Sequence, residues 1–136
     1  FPGDKTLTSD YLADPWRART IADAAMQRTA SELRDIVKAL ATSLDPFPGF
    51  EGLETLRAIE IDPGVSTDPD RGCVVVVPEG ELCEMILRMI PGTPEMNYVD
   101  QVEEMRELEL EPAEYVAYAY LAVKELARLH EERASP

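Results

Sequence analysis

The sequence predicts an α+β domain: a long N-terminal helix, a three-stranded antiparallel meander, and two C-terminal helices packed on one sheet face. Three observations carry that expectation. Apolar residues recur at three- and four-residue steps between Ile21 and Leu44, the period of a helix with one buried side. A β-branched run, Val74 to Val77, leads into Pro78, Glu79 and Gly80, with a second apolar run behind them. Helical spacing then returns twice, each time behind a proline, Pro94 and Pro112.

The elements follow in order. Residues 1–13 lack periodicity and read as an extended arm, leaving 14–134 as a single α+β domain. Asp14 is a good helix N-cap, and Pro15 suits the first helical position, where its missing N–H costs nothing. Ile21, Ala25, Leu33, Ile36, Val37, Leu40 and Leu44 mark the apolar side, with a break allowed near Thr29 to Ser31. Asp45 before Pro46 ends the pattern, because the residue preceding proline avoids the α region. Phe47 and Phe50 are expected to pin the following loop to the core.

Residues 56–62 alternate, with Ile59 and Ile61 on one side and Glu60 and Asp62 on the other, so they read as a half-buried strand. The stretch 63–72 reads as a solvated turn region. A three-residue loop at Pro78, Glu79 and Gly80 sets the next register: Val77 faces Glu81, Val75 faces Cys83, and Cys73 faces Met85. Cys73, Val75, Val77, Cys83, Met85, Leu87 and Met89 then share one face, the one expected to lie under the helices. Residues 81–90 also fit a helical period, but the strong turn signal favours a strand. Thr93, Pro94 and Glu95 read as the start of a second helix with Val99, Val102, Met105 and Leu108 as its buried stripe. Pro112 opens the last helix, with Glu109, Glu111 and Glu114 near its start and Lys124, Arg128 and Arg133 toward its end.

Composition narrows the function. The chain has 136 residues, 45 % hydrophobic and 29 % charged, enough for one folded domain with a real core. Its formal net charge of −14 opposes binding to phosphate backbones or anionic lipid, which both rely on clustered Lys and Arg. Nucleic acid and membrane are therefore not expected partners, and a protein partner, basic by charge, is. No apolar run approaches the roughly 20 residues that span a bilayer, and no leader segment is expected. Two cysteines do not make a disulfide scaffold, so a reducing, cytoplasmic setting is expected.

Little in the chain points to catalysis. The two cysteines fall diagonally across the hairpin, too far apart for an unstrained bridge and too few for a metal site, so both read as core thiols. The one histidine, His130, falls near the end of the last helix and reads as solvated. No glycine loop has the spacing that cradles phosphate. One catalytic alternative has a rationale: Glu104 and Glu107, with Glu32 and Asp35, are i, i+3 pairs that on facing helices could hold Mg²⁺ for pyrophosphate hydrolysis or small-ligand binding. Tyr115, Tyr118 and Tyr120 span too wide an arc for all to face the core. With Trp16 and Tyr98 they are the candidate interaction residues. The sequence thus reads as a small acidic non-catalytic interaction or accessory domain without a cofactor, self-associating into a homo-oligomer and binding a protein partner.

Overall fold

The computed structural model describes residues 14–50, 53–61, 72–91 and 99–135. The expected arm at 1–13, the turn region after Ile61 and the helix start at Thr93 to Glu95 lie outside them.

Helix α1 runs from Pro15 to Thr42 without a break. Its start is built as the sequence implies: Asp14 Oδ1 accepts from the Arg17 backbone N–H at 3.0 Å, which satisfies one of the donors a helix start leaves open. At the far end Ser43 N–H donates back to Ala39 O at 3.3 Å. A two-residue strand β1 (Gly49–Phe50) pairs with β2 (Leu53–Arg57) as a small ribbon. After Ala58 the chain enters the main sheet as β3 (Ile59–Glu60), followed by β4 (Cys73–Val76), β5 (Leu82–Pro91) and β6 (Val99–Glu107). These four strands are antiparallel and neighbours in chain order. Helix α2 (Pro112–Ala134) closes the chain, with Glu114 in its first turn and Arg133 in its last.

The α+β class therefore holds, while its details change in three ways. Among the described residues the main sheet has four strands rather than three, and a separate two-stranded ribbon stands beside it. The stretch expected to be one strand at 56–62 is divided: Leu53–Arg57 folds back on the ribbon, and Ile59–Glu60 joins the sheet. The segment with Val99, Val102 and Met105 is strand β6 rather than a helix, with Leu108 just past its end, so a single helix follows the sheet. Steps of three residues fit a helix, but here β5 offers a continuous antiparallel partner from Cys83 to Pro91. Ladder pairing outweighs a stripe that occupies one residue in three.

The hairpin between β4 and β5 has the expected register, with Val75 opposite Cys83 and Cys73 opposite Met85. Gly80 N–H donates to Val77 O at 2.8 Å, and Val77 N–H to Glu81 O at 3.1 Å, with Gly80 at φ 88°. That is a three-residue loop closed by a glycine in the left-handed region.

Packing on the sheet is the reverse of the expected arrangement. Val74, Val76 and Leu82 face the helices, in one cluster with Val37, Ala41, Ala119, Ala122 and Leu126. The Cys73, Val75, Cys83 and Met85 face packs instead against Phe50, Leu56 and Ala58, from the ribbon and the residue that follows it. Strand β4 is thus covered on both sides. This is why it carries consecutive valines rather than alternating with polar residues. One carboxylate of β5 ties its two neighbours together: Glu84 accepts from Gly72 N–H, just before β4, at 2.5 Å and from the Arg106 guanidinium of β6 at 3.0 Å.

The helices meet through more than apolar contact. His130 is half-buried rather than solvated, and its Nε2 lies 2.8 Å from Leu40 O. A carbonyl can only accept, so Nε2 carries the hydrogen. The bond partners one of the carbonyls near the end of α1 and ties the two helices together.

Candidate functional site

An open cleft of about 600 Å³ is built by three segments far apart in sequence. The β4–β5 turn supplies Gly80, Glu81 and Leu82. The connection from β6 to α2 supplies Glu107 to Glu111, and the first turn of α2 supplies Glu114 and Tyr115. Arg34 of α1 closes the last side. Local patterning explains how the connection serves it. In the run from Glu107 to Glu111 the chain is extended, so successive side chains alternate. Leu108 and Leu110 turn inward onto the main core, and Glu107, Glu109 and Glu111 stay exposed.

Five glutamates line this cleft against one cation, Arg34. That cation is already engaged: its guanidinium carbon lies 4.7 Å from the centre of the Tyr115 ring. Burial pushes the Tyr115 hydroxyl pKa above its ordinary value; Arg34 opposes the rise and Asp35 adds to it. The phenol therefore stays protonated at neutral pH and can donate a hydrogen bond into the cleft. Chemically the site offers carboxylate acceptors, a phenol donor and an aromatic face, a set suited to a cationic or amphipathic protein surface.

The expected interaction residues do not assemble into one patch. Trp16 is 75 % exposed on the first turn of α1 and Tyr120 is 55 % exposed on α2, its ring 5.4 Å from Lys124 Nζ. Tyr115 lines the cleft, Tyr118 is buried in the core at 4 % exposure, and Tyr98 lies outside the described residues. The carboxylates considered for Mg²⁺ are also dispersed. Glu104 and Glu107 stand three apart on a strand and so point to opposite faces of the sheet, while Glu32 and Asp35 are exposed on α1. Among the described residues, no three His, Cys, Asp or Glu side chains gather at metal-binding range. Also among them, no helix is long and apolar enough to cross a membrane.

Sequence reasoning missed the cleft. Its signal is the alternation of Glu and Leu from 107 to 111, which the sequence reading divides between the stripe of an expected helix (Leu108), a metal pair (Glu107) and the dipole of the last helix (Glu109 and Glu111). Nothing in the chain indicated that Glu81 and Arg34 would be brought beside it.

Cys73 and Cys83 are unbridged. Burial, and then the nearby Glu81, Glu107 and Glu79, raise the Cys83 thiol pKa above its ordinary value. Two results are expected. A thiol reagent modifies Cys83 in the native protein at the rate of global unfolding, and Cys73, half-buried, faster; equal rapid reaction of both in the folded state contradicts this burial. A group whose pKa is higher folded than unfolded adds stability in full below its unfolded value and loses it as pH rises toward the folded one. The stability difference between wild type and Cys83→Ala should therefore be flat below about pH 8.5 and shrink above it, read from urea midpoints.

Neither a family model, nor a curated protein, nor a solved structure matches this chain.

Proposed function

We propose that this chain is a non-catalytic interaction domain that docks a protein partner. The observation that carries this reading is the N-terminal half of α1. From Pro15 to Thr29 every residue is exposed or half-buried, including Trp16 at 75 %, Ile21 at 40 % and Met26 at 36 %. Large apolar side chains on a helix standing clear of its own core are the usual currency of protein recognition, with tryptophan prominent among hot spots. The acidic cleft adds a second surface whose field favours a basic partner. Two unbridged thiols agree with a reducing, cytoplasmic setting.

Affinity capture from the source cells tests it, with wild type, Trp16→Ser and Glu111→Lys as baits. A protein retained by wild type and lost from either variant is the expected result. Retention indifferent to both changes, or no specific retention at all, overturns the reading.

A further inference from the structure

The free half of α1 and the acidic cleft differ in charge in a way that fits one to the other. Residues 14–29 carry Arg17, Arg19 and Arg28 against Asp14 and Asp23, a local net of +1 in a chain of −14. The positive end of the backbone dipole at the helix start is met by the capping carboxylate of Asp14, so the arginines carry the positive charge of this end. The cleft carries Glu81, Glu107, Glu109, Glu111 and Glu114. Within one chain the two are held apart: Trp16 and Arg34 are separated by 18 residues of continuous helix, about 27 Å at ~1.5 Å per residue. Eighteen residues are also five turns at about 3.6 per turn, so Trp16 lies on the same side of α1 as the arginine that lines the cleft.

That spacing has a simple consequence for two chains. When two α1 helices lie antiparallel about a two-fold axis level with Ala25, each Trp16 comes level with Arg34 of the other copy, at the mouth of the opposite cleft. Arg17 and Arg19 flank Trp16 on the helix and arrive with it. We infer that the occupant of this surface is a second copy of the chain, in a reciprocal dimer that seats the Trp16 end of each α1 at the other copy's acidic cleft. This rests on the interaction-domain reading and names its partner. Such a contact is self-complementary and closed, as two-fold interfaces are, and it takes the Trp16 side chain, 75 % exposed in the single chain, out of water.

The test uses the intact chain. Trp16 is the only tryptophan, so its fluorescence reports this one position. Across a concentration series, the mass from light scattering should double and the emission of Trp16 shift to shorter wavelength over the same range. Arg17→Glu with Arg19→Glu, and separately Glu109→Lys with Glu111→Lys, should each weaken self-association about tenfold or more, since like charges then face each other. Mixed in equal amounts, the two variants should form a heterodimer, because both contacts of the mixed pair regain opposite charge. All four positions are exposed, so circular dichroism should show both variants folded. A wild type that stays monomeric with Trp16 in water, a dimer that leaves Trp16 emission unchanged, or variants that do not associate on mixing overturns the proposal. Monomeric behaviour with a retained foreign partner in the capture assay would remove the second copy alone and leave the interaction reading standing.

Discussion

Replacing Gly80 with alanine is expected to destabilise the domain by about 2–5 kcal/mol, a large share of the roughly 5–15 kcal/mol of a typical fold. Two costs coincide at this position. Gly80 has φ 88°, where a side chain strains the backbone by about 1–2 kcal/mol. A Cβ there would also stand 2.5 Å from the Lys38 Cα of α1. That atom belongs to helix backbone and cannot rotate away, so the hairpin must lift from the helix and loosen the packing of Leu82 and Val76 beneath it. Overpacking of this kind costs a further 1–3 kcal/mol or so. The two costs separate with Gly80→Asn, since asparagine tolerates the left-handed region but keeps the Cβ. It should recover about 1 kcal/mol relative to alanine and no more. Full recovery in a urea titration would show that the close approach to Lys38 is not tight. Glu79→Ala, one residue away and exposed, should stay within about 0.5 kcal/mol of wild type.

Truncation of Leu126 to alanine should cost about 3 kcal/mol, within the range of roughly 2–5 for fully buried leucines. Leu126 has no exposed surface and sits in the cluster joining α1, α2 and the helix side of the sheet. Its neighbours Val37, Ala41 and Ala122 are themselves 0–1 % exposed, so few groups can collapse into the space left behind. The expected sign is a lower urea midpoint with an unchanged slope, because the loss is in packing rather than in the extent of unfolding. The contrast is Tyr120→Ala on the same helix. At 55 % exposure it should leave stability nearly unchanged. A Leu126→Ala protein as stable as wild type would mean that the two helices do not share this core.

These two positions also mark where sequence reasoning was strong and where it stopped. The Pro78-Glu79-Gly80 loop was legible because hairpin register follows from the turn itself: the glycine supplies the positive φ, and the strands on either side have only one way to pair. The start of α1 at Asp14 and Pro15, and of α2 at Pro112, were legible for the same local reason. In β6 the local signal misled. Val99, Val102 and Met105 are spaced for a helix as well as they are for nothing else, and the strand exists because β5 lies beside it. The four valines from 74 to 77 held a clue to burial on two sides that a search for alternation passed over.

The sequence by itself determined where the two helices and the central hairpin begin, since caps, prolines and a left-handed glycine act through the nearest few residues. Tertiary structure alone decided which sheet face each helix covers, how far α1 runs beyond its support, and that Glu81, Glu111 and Arg34 meet around one cleft. The physical reason is that burial and field are properties of surfaces assembled from distant segments. The apolar pattern of α1 reads alike at Ile36 and at Val37, yet the first, expected on the buried side, is 44 % exposed and the second not at all.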